Sequence, residues 1–526
     1  MVGGATGKGR AVADDVLEVE IDGVPVLWVP SDSRHLTGGI IVRVGLSDEA
    51  FVRRGFTHLI EHLALSTLNV DYDYNGFVDS TTTNFIARGS PDDVLHFVDS
   101  VVAALSNLPY DRLDVERRVL VAESERNGVS SAASALAVLY GANGVGSMAL
   151  PEMGLWQATP ATLEHWLEEW FTLQNMVMWF AGPEPLRPSL AGMRRGRRRP
   201  TVRMQRRPLA EPVYFVDSVP GPGVVNVMDR SPLVAAGLAM VTDRLTERLR
   251  TTEGMSYSVN SNLQPLNASA TLLTLAADCR AADVDDVFSI MVMELNRFAF
   301  EGPTAQEVDD YVRKRRRLVD DDGAPVARAS TAAYHRLQGA STIDPIEELA
   351  QVEAAPRAAF AAAVHDITRS AMWVVPPGAT VRDQRFTPVS TYTTESLAGS
   401  AFASNRNDTE LVVNGCSSLG VVDRGNGLAI DMPLHELVGA VAYRDGAHTF
   451  FRRDAMSLTI QPADYPGCEP AYSGFLARVP AAMTVAVPRR LRSEANVAEI
   501  ECFRSSRSPE GRTIAAFRGR LRSGGR

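Results

Sequence analysis

Cysteine is scarce: four residues in 526 (Cys279, Cys416, Cys468 and Cys502), with no C-x-x-C pair among them. The chain therefore points to neither a disulfide framework nor a thiolate zinc site. Long apolar runs are missing too. None approaches the roughly 18 to 20 residues that a bilayer span requires, so no membrane partner is expected. There is no basic surplus: the formal net charge is −10, whereas a nucleic-acid binder would show a basic domain, so no nucleic acid is expected. The opening "MVGGATGKGRAVADD" lacks the apolar stretch of a secretory leader, and the cytoplasm is the expected address. What is present is a 45% hydrophobic, 22% charged sequence, long enough to bury several cores in about three domains.

Along residues 16–48, "VLEVEIDGVPVLWVP" and "GGIIVRVGLSDEA" alternate apolar and polar positions between Asp-Gly and Gly-Gly turn signals, which predicts strands. "GFTHLIEHLALST" follows with helical spacing at Phe56, Leu59, Ile60 and Leu63. "FVDSTTTNFIARG" reads as one strand rich in β-branched residues. "SPDDVLHFVDSVVAALSNL" opens with a Ser cap, a Pro and two acids, the signature of a helix start. "DRLDVERRVLVAESERNG" and the region around "TPATLEHWLEEWF" read as further helices, and "NMVMWFAGP" closes the segment as a strand. Residues 187–208 then carry nine arginines with no periodicity. The expectation is a solvated linker; the other reading is a basic rim that attracts acidic partners.

Beyond the linker the pattern starts again. A shift of 193 residues carries Asp92-Asp93-Val94 onto Asp285-Asp286-Val287, Val115-Glu116 onto Val308-Asp309, and Val119 onto Val312. Helix follows helix in step, so the expected fold class is α+β, with two homologous α+β half-domains, each a sheet with helices packed on one face. The expected boundaries are 16–186 for the first half, 187–208 for the linker and 209–380 for the second half. Short β-prone runs with Gly-Asn-Gly and Arg-Asp-Gly turns predict a small β-rich domain over 386–486, with an arginine-rich tail over 487–526, and the hairpin pattern resembles a pleckstrin-homology-like β-barrel.

Successive helical residues turn by about 100°, so His58 and His62 lie about 40° apart with Glu61 inside the same arc. Two imidazoles so placed can share one cation while the carboxylate reaches the water that it activates. The bland alternative is a pair of solvated histidines beside a solvated glutamate. "VERRVLVAESE" offers a third ligand: Glu116 and Glu123 are seven apart and share a helix face within about 20°, while Glu125 points about 200° from Glu123. Alone, that pair reads as an exposed charged face. Downstream of the histidine motif it reads as Glu123 closing a site for Zn2+ with two His and one Glu, and Glu116 holding a ligand or the end of a substrate. The other histidines have no companions at ligand spacing.

H-x-x-E-H is the inverted zinc motif of the inverzincins, and the chain resembles the pitrilysin/insulinase family of zinc peptidases. "YNGFVDSTTTNF" is similar to that family's Asn-Ala-Tyr-Thr-x4-Thr-x-Tyr strand: Asn75, Thr83 and Phe85 fall in place and Gly76 replaces the usual alanine. "ERRVLVAE" resembles its Glu-x6-Glu helix, and "RTTEGMSYSV" its Arg-x3-Gly-x2-Tyr mark. The resemblance implies His58, His62 and Glu123 as zinc ligands, Glu61 as catalytic base, Glu116 as accessory acid, and Asn75, Arg250 and Tyr257 as substrate-binding residues. It further implies a clamshell of two halves around a short or unfolded peptide, the second half inert because the same shift puts Arg316 where Glu123 stands. A homodimer, or a heterodimer with another two-half subunit, is the implied assembly. Two alternatives remain open: a non-cleaving binding or assembly subunit, and a dedicated peptide-maturation protease docked by its C-terminal domain.

Overall fold

The computed structural model describes residues 10–13, 15–127, 130–183, 186–201, 204–209, 212–319, 321–389 and 392–488. The arginine-rich tail, Cys502 and the side chain of Glu125 lie outside the described residues.

The first unit contains, in chain order, β1 (Arg10–Ala13), β2 (Val16–Ile21), β3 (Val24–Pro30), β4 (Leu36–Val42), α1 (Phe56–Leu65), β5 (Asp73–Val78), β6 (Thr83–Gly89), α2 (Pro91–Ser106), α3 (Leu113–Asn127), α4 (Ser131–Tyr140), α5 (Pro160–Trp170) and β7 (Met176–Gly182). Its seven-stranded sheet has the order β1-β2-β3-β7-β4-β6-β5, which leaves β5 as an open edge. Asp22 and Gly23, both at positive φ, form the tight turn between β2 and β3. Ser90 caps α2 by accepting from the Asp93 N–H while Asp93 reaches back, and Val94, Phe97, Val98, Val101 and Leu105 bury the inner face at helical spacing.

The stretch expected as one strand over "FVDSTTTNFIARG" is a hairpin instead. Val78 faces Thr83 across it, and Asp79 N–H donates to Thr82 O in the turn. Leu46 and Ser47 N–H groups bind the Asp79 and Ser80 carbonyls, so a buried turn is satisfied from outside. The threonine run hid it, because β-branched residues read as strand whether the chain turns or not.

The second unit repeats the plan with β8 (Val213–Val216), β9 (Gly223–Asp229), α6 (Pro232–Thr246), β10 (Val259–Pro265), β11 (Ala270–Ala277), α7 (Val284–Glu301), α8 (Ala305–Val319), α9 (Ala324–Gln338), α10 (Pro345–Ala354), α11 (Arg357–Ser370), β12 (Met372–Val375) and β13 (Thr387–Pro388). In the first sheet β3 runs parallel to β7, and β4, β6 and β5 follow antiparallel; in the second, β8 runs parallel to β12, and β9, β11 and β10 follow antiparallel. The two half-domains share one topology. Helices α9 to α11 escaped the sequence reading.

Each sheet has helices of its own unit on one face, and the other face is closed by a helix from the opposite unit. Ala329, Ala332, Ala333 and Leu337 of α9 pack on Leu27, Val29, Ile41 and Trp179 of the first sheet. Ala135, Leu136 and Leu139 of α4 pack on Val225, Leu272, Met372 and Val374 of the second. The alanines let helix and sheet approach closely, and the two units form a continuous apolar body.

The described part of 187–208 is not simply a solvated linker, because several of its arginines are tied to the first two units. Arg194 Nε donates to Glu164 at 3.0 Å, Arg198 Nε donates to Leu337 O at 3.1 Å, and Arg199 lies over the Trp170 ring at 5.2 Å. The buried Arg43 is bidentate to Asp48 and donates to Pro200 O at 2.7 Å. Guanidinium groups with five donors can tie an aperiodic strand to carbonyls and carboxylates, which composition alone reads as solvation.

The third unit also starts later than expected: Phe386 sits in the second core and Thr387–Pro388 pair with β8. It comprises β14 (Ser400–Ala403), β15 (Thr409–Asn414), β16 (Ser418–Asp423), β17 (Ala429–Pro433), β18 (Leu437–Tyr443), β19 (His448–Arg452), β20 (Ser457–Ile460), α12 (Glu469–Leu476) and β21 (Thr484–Val487). Two four-stranded sheets, β14-β15-β16-β17 and β20-β19-β18-β21, enclose a core of Leu411, Leu419, Phe450, Tyr472 and Phe475.

Candidate metal centre

Helix α1 begins at Gly55, whose φ of 96° only glycine adopts readily. The buried carboxylate of Glu49 receives the Gly55 N–H at 3.0 Å and the Thr57 N–H at 2.7 Å, and pairs with Arg54 at 3.2 Å. These contacts satisfy helix-end donors and fix where α1 starts. Phe56, Leu59, Ile60 and Leu63 go into the core. His58 and His62 are left half-buried on the other side, with ring centroids 4.9 Å apart and planes at 84°.

Helix α3 runs alongside and brings Glu123 to both imidazoles. Its Oε2 is 4.0 Å from His58 Nε2 and 3.9 Å from His62 Nε2. Glu61 Oε2 is 3.8 Å from His62 Nε2, and ligand atoms of His58, Glu61 and His62 all lie within 4.8 Å of one another. Donors around a tetrahedral ion at ~2.0–2.2 Å are separated by about 3.4 Å, so the groups need only a small closure to share one ion. Two imidazole nitrogens and one carboxylate are a donor set suited to zinc. Glu123 faces both rings, which favours it over Glu61 as the third ligand and leaves Glu61 beside the cluster.

The far nitrogens of both rings meet carboxylates. His62 Nδ1 lies 3.5 Å from Oε2 of Glu116, which is itself held by Arg112 at 2.8 Å. His58 Nδ1 lies 3.2 Å from Oε1 of Glu152. Such contacts set the tautomer that presents the opposite nitrogen to a metal. Sequence reasoning found Glu116 and missed Glu152, which sits 94 residues from His58 in "ALPEMGLW" with no spacing to mark it.

The protein's own charges separate these groups electrostatically. Burial pushes Glu61 up to about 7, with Glu123 and Glu116 adding to the push and His58 opposing it. Burial also pulls His58 down, but the Glu152 hydrogen bond and charge outweigh it and His58 ends above its ordinary value. His62 is held below its ordinary value by burial and by His58, against Glu123 and Glu116. Burial raises Glu152, yet His58 brings it below the ordinary carboxylate value. A carboxyl poised near neutrality beside two imidazoles has the range of a general acid–base group.

The remaining sequence-predicted residues are not in this cluster. Asn75 is exposed on the edge strand β5, paired with Ile86 of β6. Arg250 lies in a π-helical turn over Glu247–Thr252 with its guanidinium 5.5 Å from the Tyr257 ring. Tyr257 is 80% exposed. Among the described residues, no hydrogen bond or ion pair joins either of them to His58, Glu61, His62 or Glu123.

Residues 200–315 match the sequence profile described as the Peptidase M16 inactive domain. No curated protein matches the chain. In fold, the chain is similar to the first half of the periplasmic protease PqqL from Escherichia coli, at 13% identity and a TM-score of 0.54, over 70% of this chain and 93% of that one. A protease from Helicobacter pylori matches at 14% identity and a TM-score of 0.57, over 69% and 99%. Pitrilysin matches at 15% identity and a TM-score of 0.50, over 72% and 47%. The two half-domains have the fold of the M16 peptidases. The profile match falls on the second unit, where Arg316 replaces the glutamate of α3 and no H-x-x-E-H occurs.

Proposed function

We propose that this chain is a zinc-dependent metalloendopeptidase that hydrolyses short or unfolded peptides held between its two half-domains. The observation that carries the reading is the approach of Glu123 Oε2 to within 4.0 Å of both His58 Nε2 and His62 Nε2, with Glu61 alongside. His58, His62 and Glu123 would hold the ion. Zinc, when bound, supplies Lewis acidity to a water and to the scissile carbonyl. Glu61 takes the proton of the attacking water and returns it to the leaving amine. Its pKa near 7 suits both transfers, although a cation held nearby would lower it. Glu116 and Glu152 orient the two imidazoles. A peptide would add as a further strand to the open edge of β5, where recognition is mostly by backbone and where Asn75 stands. Arg250 and Tyr257 would meet it from the second unit.

The non-cleaving alternative is not favoured, because every group that the chemistry needs is present in the first unit. The inactive-domain match lies in the second unit, so it agrees with one active and one inert half. A dimer of two-half subunits, a cytoplasmic address and a pleckstrin-homology-like third unit remain part of the proposal. No helix among the described residues is long and apolar enough to cross a membrane. The test is a zinc titration with peptide-library cleavage on wild type and Glu61→Gln. The variant should keep zinc and lose turnover, and chelator should stop the wild type. Wild-type protein that takes up no zinc, or cleaves equally well with chelator present, would sink the reading.

A further inference from the structure

His62 and His58 are supported differently. The carboxylate behind His62 belongs to α3 of the same unit and is fastened there by Arg112. The one behind His58, Glu152, belongs to a strap over residues 150–157 whose one regular piece is a short 3-10 turn, Met153–Gln157. Such a strap has no ladder or helix of its own to hold it, so packing sets its position.

That packing has two sides. On the inner side the strap lies against the entry to α1. A β-carbon on Gly55 would come within 2.9 Å of the Glu152 and Leu155 side chains, and one on Gly154 within 2.6 Å of the Arg53 and Arg54 backbone. On the outer side it lies against the C-terminal unit. Leu150, Met153 and Trp156 share a cluster with Val441, Tyr443, Phe451, Val485 and Val487. Gln157 Nε2 donates to Thr484 O at 3.2 Å. Phe51, just before α1, packs against Phe451 at 5.0 Å between centroids with the rings tilted by 42°, and fills the space where a Gly439 β-carbon would be, 2.1 Å away. The strap is thus a thin layer between the motif helix and the third unit.

We propose that the C-terminal β unit is a working part of the metal centre: by clamping the 150–157 strap it holds the Glu152 carboxylate against His58 Nδ1. The Nδ1–H then donates to Glu152, and the Nε2 lone pair is free and aimed for an ion. Glu152 is a positioning residue, and the third unit acts through it. This rests on the zinc reading above and gives that unit a role other than substrate docking. Without the clamp, the apolar side of the strap faces water and Glu152 loses its fixed place.

The test uses the full chain and two readouts other than turnover. One is the zinc dissociation constant by competition with a chromophoric chelator, and the other is the visible spectrum of the Co2+-loaded protein. Glu152→Ala is expected to weaken zinc by about 10- to 100-fold, and Glu152→Gln, whose amide oxygen still accepts, by much less. Phe451→Ala and Gly439→Val are expected to weaken zinc in the same direction and to shift the Co2+ spectrum as Glu152→Ala does. Should Gly439→Val fail to fold, Phe451→Ala carries the comparison. The double variant Glu152→Ala/Phe451→Ala should bind no more weakly than Glu152→Ala alone, since both act through one carboxylate. Wild type that binds zinc while Phe451→Ala binds equally tightly overturns this proposal only, as do effects that multiply in the double variant. Wild type that binds no zinc overturns the zinc reading and this proposal together.

Discussion

A β-carbon built on Gly76 would lie 2.1 Å from Oε1 of Glu61 and 2.6 Å from Cδ1 of Leu65. The edge strand β5 and the motif helix therefore touch at the residue proposed as general base. Alanine is usual here in the family pattern that the strand resembles; glycine leaves the room that this carboxylate occupies. Gly76→Ala is expected to push Glu61 aside while leaving His58 and His62 in place. Zinc content should stay at the wild-type level while kcat falls by up to about 100-fold, the usual cost of a misplaced catalytic group. Metal analysis beside steady-state peptide cleavage measures both. An unchanged kcat would mean that Glu61 does not act from this position.

The assignment of the third ligand has its own comparison. Glu123 approaches both imidazoles, so Glu123→Gln should lower zinc affinity about tenfold or more, while Glu125→Gln should do little. Equal losses in a chelator competition would move the ligand assignment. Tyr257→Phe should slow cleavage and leave zinc affinity alone, because the ring is 80% exposed and, among the described residues, makes no hydrogen bond to His58, His62 or Glu123.

What was legible in the sequence was local. The turn of α1 that aligns His58, Glu61 and His62, the Ser90 cap of α2 and the seven-residue spacing on α3 are all set by helical period, which neighbouring letters reveal. The repeat was legible because equivalent helices α2 and α7, and α3 and α8, keep their acidic openings. What was not legible was tertiary. Glu152 meets His58 only because a strap is folded back and clamped. The arginines of 187–208 find their partners on separate elements. Helix α9 buries mostly alanines (Ala324, Ala329, Ala332 and Ala333) and so shows little apolar contrast, whereas α10 buries Leu349 and Val352 and α11 buries Phe360, Val364 and Ile367 at the spacing that marks a helix face. Pro325 and the Asp344-Pro345 start, where Asp344 accepts the Ile346 N–H, were the available signals.

His335 gives the fold a pH dependence away from the candidate centre. It lies on α9, is 6% exposed, and has Arg230 against its Nε2. Burial, followed by the Arg230 charge, pulls its pKa down to about 4 from 6.5. Between those values the unfolded chain holds a proton that the folded chain refuses. The stabilisation is therefore complete above 6.5 and is lost as the pH falls toward 4, by on the order of 2 kcal/mol. Melting curves from pH 7 to 4 should show wild type losing more stability than His335→Gln over that window. A loss of the same size in the variant would place the titrating group elsewhere.

The exchanged helices make a prediction about folding as well as structure. Leu27, Val29, Ile41 and Trp179 form an apolar face that the first unit does not cover itself; α9 covers it with alanines that are fully buried. A sheet face of that kind, left open, is an association surface. Residues 10–186 expressed alone should therefore aggregate or self-associate, and co-expression with residues 204–389 should recover a soluble pair, since each piece carries the helix that the other lacks. Ala333→Asp should weaken that pair by several kcal/mol, because it places a carboxylate with no partner between α9 and the sheet. Co-purification and Trp179 emission report the outcome directly. A lone first unit that stays monomeric, with Trp179 emitting as in the whole protein, would mean that the face closes without α9.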